Sequence, residues 1–160
     1  MNIISVDPGY QVTALVQWNG VEIIRSLFLQ HEHVRDFLRT QGGFADVIAI
    51  ETVSSYGMPV GKEVFETVRE TGRYIQVCAD NDFNVILPTR QQVVIHLCRR
   101  MGGDSAVRAA IIERFGQPGT KKAPGITYGL KRDLWQAFGV GVYAYDLLQA
   151  NALKIEAIKP

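Results

Sequence analysis

The sequence predicts an α/β fold: one mixed five-stranded sheet with helices on both faces. Three observations carry this. Strand-like runs at 2–6, 12–18 and 21–29 are separated only by turn residues, so they form an antiparallel meander. Beyond residue 31 helical patterns alternate with short β-branched runs, the order that builds parallel strands joined by crossover helices. The run Val47-Ile48-Ala49-Ile50 is apolar throughout, as a strand covered on both faces must be.

The run from Asn2 to Val6, rich in Ile and Val, ends at the turn sequence Asp7-Pro8-Gly9. Asn19-Gly20 lies between the second and third runs, where residues that tolerate positive φ signal a hairpin. Glu32 to Thr40 reads as a short helix ending at Gly42-Gly43, and Asp46 to Ile50 as the fourth strand. A loop from Ser54 to Pro59 leads into a long helix, Gly61 to Ala79, with Val64, Val68, Thr71, Ile75 and Cys78 as its inward stripe. Phe83 to Leu87 is the fifth strand, closed by Pro88. Gln91 to Met101 is a helix with Val94, Leu97, Cys98 and Met101 inward, broken by Gly102-Gly103. Asp104 or Ser105 caps the next helix, which runs to Phe115. A long loop from Gly116 to Gly129 precedes the last helix, from about Leu130 to Ala150. There Gly139 and Gly141 permit close packing on the sheet.

With 160 residues, 47% hydrophobic and 21% charged, the chain reads as a single domain, 1–160, with a real core. Disordered, collagen-like and coiled-coil readings are excluded. No run approaches the length of a membrane helix, and MNIISVDPGY lacks the basic start of a signal peptide. Cys78 and Cys98 have no metal or redox spacing and are expected to be buried free thiols, so an intracellular protein is expected.

The net charge of +1 hides an uneven distribution. Residues 1–88 hold 6 Lys/Arg against 11 Asp/Glu, a local −5, whereas residues 89–132 hold 9 against 2, a local +7. A strongly basic segment in a near-neutral protein is expected to meet a polyanion; the alternative is a solvated basic face.

Three acids stand where α/β sheets place ligand sites. Asp7 ends the first strand, Glu51 the fourth, and Asp133 lies in the first turn of the last helix. Singly, each has an ordinary local role as turn former, strand end or helix-dipole partner. Together they would repel unless a divalent cation neutralised them, and an all-oxygen set suits Mg²⁺, with Mn²⁺ as a substitute. Two such ions per site are the usual apparatus for attack of water on a phosphodiester.

Ile4-Ser5-Val6-Asp7-Pro8-Gly9, then Val47-Ile48-Ala49-Ile50-Glu51, then the stretch from Lys131-Arg132-Asp133 to Val142 resembles the RuvC family of Holliday-junction resolvases. The segment Ser55 to Thr67 is similar to that family's bacteriophage and prophage branch. The resemblance implies a ribonuclease H-like fold, a cytoplasmic homodimer of prokaryotic or phage origin, and Mg²⁺-dependent nicking of branched DNA in recombination and repair. It carries the catalytic, metal-binding roles to Asp7, Glu51 and Asp133. One departure stands out: the family commonly has a further acid one helical turn before the last, and Leu130 is there instead. Either three acids suffice or another group reaches in, and Asp146 is poorly placed to do so.

The expected DNA contacts are Lys121 and Lys122 in the long loop, Lys131 and Arg132 beside Asp133, and Tyr56 and Met58 after Glu51. The two lysines would hold phosphate or stabilise transition-state charge, and Tyr56 and Met58 would stack or wedge at a branch point. Arg69 and Arg73 are expected to pair with Glu66 or Glu70, and His31, His33 and His96 to be surface or structural residues. Two rival readings remain: a ribonuclease H-like nuclease on another nucleic-acid structure, and a DNA-binding module with a degenerate site.

Overall fold

Val47 and Ala49 point to one side of the sheet, Ile48 and Ile50 to the other, and all four are buried. A computed structural model describes residues 1–54, 57 and 59–156 of the chain. The elements are β1 (Ile3–Asp7), β2 (Thr13–Trp18), β3 (Ile23–Leu29), α1 (His31–Gln41), β4 (Val47–Ile50), α2 (Lys62–Asp80), β5 (Val85–Ile86), α3 (Arg90–Cys98), α4 (Asp104–Phe115), β6 (Gly119–Thr120), β7 (Ala123–Pro124) and α5 (Leu134–Glu156). The main sheet has the order β3-β2-β1-β4-β5. Its first three strands are antiparallel neighbours, and β4 and β5 join β1 in parallel.

Period-two alternation along β1 and β4 sorts the core into two layers. Ile4, Val6, Leu15, Ile48 and Ile50 pack against α1 and α2 through Val34, Leu38, Tyr74 and Cys78. Ile3, Val16, Trp18 and Ala49 face α3, α4 and α5, where Trp18 meets Phe115 and Phe138 edge-on at 5.8 and 5.3 Å. Among the described residues no helix is long and apolar enough to cross a membrane.

The Asn19-Gly20 turn forms, but it is wider than a two-residue hairpin. Gly20 takes φ 94°, and Asn19 Oδ1 accepts from the N–H groups of Val21 and Glu22 at 2.9 and 2.8 Å, so β3 starts only at Ile23. The stripe expected on α2 holds only toward its C-terminus. Thr71 and Cys78 are buried with Glu70, Tyr74 and Val77, whereas Val68 is 48% exposed. Arg69 pairs with Glu66, and Arg73 with Glu70 at 2.5 Å.

Helix α3 stops earlier than expected. Arg99 adopts a left-handed conformation (φ 60°) and donates its N–H to Ile95 O at 2.9 Å, which leaves Met101 60% exposed. The loop after α4 contains the two-stranded β6–β7 hairpin. Helix α5 begins at Leu134, four residues later than expected. Both cysteines are free; Cys78 is buried, which pushes its thiol up to about 11, while Cys98 is half-buried.

Candidate active site

The parallel pairing of β1 and β4 sets Val6 opposite Ile50, and the N–H of Glu51 donates to Val6 O at 2.9 Å. Asp7 and Glu51 therefore leave the same sheet edge on adjacent strands. They line a recess of about 140 Å³ with Pro8, Thr52 and Arg90. Burial, and next the charge of Glu51, raises the Asp7 pKa well above the usual carboxylate range; Asp133 and Asp104 add to this and Arg90 opposes it. Burial also raises Glu51, against the charge and hydrogen bond of Arg90.

Arg90 and Asp104 are charged residues beside these acids that the sequence reading did not place there. The strand ends bring Arg90 in: beyond β4 and β5, Thr52 donates its N–H to Pro88 O at 2.8 Å, so the chain after β5 runs beside Glu51. Thr89 then starts α3 with a reciprocal cap, its hydroxyl accepting from Gln92 N and its N–H donating to Gln92 Oε1. Arg90, the first residue of α3, places Nη1 3.4 Å from Glu51 Oε1 and pairs through Nη2 with Asp104. Burial works against the charge on Arg90, but Glu51, Asp104 and Asp7 outweigh it and hold the guanidinium more firmly protonated than usual. Asp104 is not a cap: Gly103 holds that position without a side-chain bond, and the Asp104 carboxylate goes to Arg90. One signal was present in the sequence. Arg90 follows a predicted parallel strand within three residues, as Glu51 follows one directly.

Asp133 sits in the turn ahead of α5, not in its first helical turn. Its carbonyl accepts from Ala137 N at 2.9 Å, and its side chain is exposed. It opens into a cleft of about 450 Å³ shared with Asp104, Arg108, Lys131, Trp135 and Gln136, where the Arg108 guanidinium lies 5.1 Å from the Trp135 ring. Its charge reaches Asp7. Yet among the described residues no three of His, Cys, Asp and Glu stand close enough to hold one metal ion. The structure thus assembles Asp7 with Glu51 and leaves Asp133 in the neighbouring cleft. This pair of carboxylates, one half-buried and one buried, fits a hard divalent cation, as a pair and not as a closed cage.

Leu130 is 8% exposed and belongs to the core, its N–H bonded to Thr127 O at 3.1 Å. Asp146 is committed elsewhere, accepting from His96 Nε2 at 2.7 Å and from both Arg114 guanidinium nitrogens at 2.6 and 2.7 Å.

Lys121 and Lys122 form the tip of the β6–β7 hairpin. The residues that follow, Pro124 to Tyr128, run along Val21–Ser26. That stretch includes Ile23, which pairs with Trp18; Trp18 pairs with Ile3, and so Ile23 lies at the sheet end opposite Asp7. Lys131 and Arg132 flank Asp133. Arg132 takes φ 47°, which redirects the chain into α5, and its guanidinium lies 5.9 Å from the Phe28 ring at the Asp7 end of β3. Tyr56 and Met58 lie outside the described residues. Tyr74 on α2 is buried. Its hydroxyl meets Thr13 Oγ1 at 3.0 Å and His31 Nδ1 at 2.7 Å, and burial pushes its pKa up to about 12.

No family model and no curated protein matches this sequence. Solved structures do. Thermus thermophilus RuvC superposes with a TM-score of 0.68 at 14% identity, over 94% of this chain and 97% of that one. T. thermophilus RuvC in complex with a Holliday junction substrate superposes at 0.65 and 15% identity, over 89% and 92%. The fold is that of RuvC: a mixed five-stranded, ribonuclease H-like sheet with helices on both faces.

Proposed function

We propose that this chain is a divalent-metal-dependent endonuclease that nicks branched DNA, four-way junctions foremost. The observation that carries the reading is the pairing of half-buried Asp7 with buried Glu51 at one sheet edge, on a fold shared with RuvC along nearly the whole of both chains. Two acids whose pKa values are both raised by burial, with the charge of Glu51 raising Asp7 further, are costly to keep in a recess open to solvent without a cationic ligand. Asp7 and Glu51 would hold Mg²⁺ or Mn²⁺, with Asp133 reaching in from the adjoining cleft. Two such ions per site would supply activation of the attacking water and charge for the leaving oxygen.

The remaining roles fall to side chains around the recess. Lys131, Arg132 and Arg108 surround the Asp133 cleft and would hold phosphates. The Lys121-Lys122 hairpin would meet DNA away from the scissile bond, and Tyr56 and Met58 would act at the branch point. A twofold homodimer would place one site on each of two strands, the arrangement that paired nicks across a junction require. Such a protein serves DNA recombination and repair inside a prokaryotic or phage-infected cell. The solved neighbour bound to a Holliday junction supports the choice of substrate class.

A second reading has its own observation. Arg90 already occupies Glu51, and Leu130 stands where the family's further acid would be, which favours a DNA-binding module without catalysis. Incubating the protein with a mobile four-way junction, a fork, an RNA–DNA hybrid and a linear duplex, with and without Mg²⁺, separates the readings. The proposal expects Mg²⁺-dependent nicking of the junction, absent in Asp7→Asn. Junction binding without cleavage in Mg²⁺ or Mn²⁺ would establish the binding module instead. Preferential cutting of the hybrid would reassign the substrate.

A further inference from the structure

We propose that Arg90 is an exchangeable counter-ion, which neutralises the Asp7–Glu51 pair in the absence of a divalent cation, competes with the cation for Glu51, and withdraws onto Asp104 when the cation binds. The inference rests on the metal-dependent reading above and assigns that site its control.

The geometry is an uneven fork. On the inner arm, Arg90 Nη1 stands 3.4 Å from a Glu51 carboxylate that is only 10% exposed. That distance is at the long end of a hydrogen bond, so the arm is loose. On the outer arm, Nη2 is in close contact with Asp104, which is 73% exposed and belongs to a different element. A long inner contact to a buried acid and an outer partner open to solvent are the arrangement of a group that leaves one partner without losing the other.

Chemistry fixes how it must leave. A guanidinium does not lose its proton in a protein, so Arg90 cannot make room by deprotonation. A divalent cation on Glu51 and a guanidinium within about 4 Å of the same carboxylate repel each other. One must move, and Asp104 keeps the displaced head paired. Asp104 thereby acquires a role beyond the favourable place of an acid in the first turn of α4. It is a positioning residue, acting on the cation through Arg90.

Calorimetric titration of the full chain with Mn²⁺ alone tests this, using the wild type, Arg90→Gln, Arg90→Lys, Asp104→Asn and the Arg90→Gln/Asp104→Asn double variant. Removing one partly exposed competing charge is expected to tighten Mn²⁺ binding about fivefold in Arg90→Gln. Arg90→Lys, which keeps the charge, stays near the wild type. Asp104→Asn weakens binding, because Arg90 then has only the inner carboxylates to pair with. The double variant matches Arg90→Gln, since nothing remains to be withdrawn. Thermal unfolding in EDTA provides the folding control: Arg90→Gln melts lower than the wild type, and saturating Mn²⁺ removes the difference. Unchanged or weaker Mn²⁺ binding by a folded Arg90→Gln overturns the exchange while leaving the nuclease reading intact. So does an Asp104→Asn effect that persists in full without Arg90, which would make Asp104 a direct ligand. A folded wild type that binds no Mn²⁺ overturns the metal-dependent reading itself, and the exchange with it.

Discussion

Gly141 of α5 rests directly on Ser5 in the middle of β1: a β-carbon at position 141 would fall 2.9 Å from Ser5 Oγ and 3.3 Å from Ser5 Cβ. Ser5 is fully buried and donates to Val16 O at 3.2 Å, so it has little freedom to turn aside. This contact brings the helix down onto the sheet and thereby sets where Asp133, just ahead of its first turn, arrives relative to Asp7. Gly141→Ala is expected to destabilise the fold by about 1–3 kcal/mol through overpacking, despite a helix-propensity gain of up to about 1 kcal/mol. Gly72 supplies the contrast, since a β-carbon there meets nothing within 4 Å. Gly72→Ala should stabilise by about 0.5–1 kcal/mol. Denaturant unfolding of the pair checks both signs, and an Ala at 141 that is neutral or better would mean the helix does not sit this close.

The Asp7 carboxyl has a pH signature. Its folded pKa is raised, by burial first and by Glu51 next. An acid whose folded pKa exceeds its unfolded value of about 4 takes up protons on folding, so stability falls as pH rises through that interval. Above the interval the ionised carboxylate opposes folding in full, and below it both states are protonated and the effect disappears. Asp7→Asn is therefore expected to raise the Tm of the metal-free protein at neutral pH, by roughly 2–4 °C for each kcal/mol relieved. The gain should shrink as pH is lowered toward about 4. Melting curves in EDTA across this range test it, and an Asn variant no more stable at neutral pH would show that Asp7 is not strained.

Cleavage should divide from binding at the acids. Asp7→Asn, Glu51→Gln and Asp133→Asn are each expected to lower junction cleavage by at least about 100-fold while junction affinity survives, because phosphate contacts supply most of the affinity. Single-turnover cleavage beside a gel-shift titration gives both numbers. Near-normal cutting by Asp133→Asn alone would reduce the site to the Asp7–Glu51 pair that the sheet assembles.

The lysine hairpin is expected to act on affinity. The residues that follow it line a recess with Val21–Ser26, outside the recess of Asp7 and Glu51. Lys121→Ala with Lys122→Ala should weaken junction binding and lower the slope of log K against log salt by about 2, with little effect on the single-turnover rate at saturating protein. A rate loss larger than the binding loss would return these lysines to the scissile phosphate.

The dimer prediction rests on α2. Phe65 is 65% exposed there, with Val60 and Val68 also exposed nearby, an apolar surface that a second copy would cover. Phe65→Asp is expected to yield a monomer by light scattering at micromolar concentration, and one that nicks a cruciform plasmid without linearising it. A wild type that is already monomeric would remove both the interface and the paired-nick argument.

The acids and the arginine differ in how openly the sequence announces them. Asp7 and Glu51 follow directly on β-branched runs, and a strand end is a position that local pattern reveals. Arg90 and Asp104 each have an ordinary local reading, as residues opening a helix. Only the neighbouring exits of β4 and β5 turn Arg90 toward Glu51, and only the return of α4 brings Asp104 to the other side of the guanidinium. Helix α2 shows the same limit. Its stripe was assigned from spacing, but Val68 is exposed while Tyr74 is buried.

By itself the sequence determined the α/β class, the succession along the chain of the main strands and the helices around them, the two-sided burial of β4 and the placing of acids at strand ends. Backbone periodicity and turn chemistry act over a few residues and are written locally. The tertiary structure alone decided that Asp7 stands beside Glu51 while Asp133 stays in the next cleft, that Arg90 bridges to Asp104, and that the residues after the Lys121-Lys122 hairpin share a recess with residues 21–26. Those contacts join segments far apart in the chain, and their geometry follows from strand order and from the depth at which α5 packs. No local pattern encodes either quantity.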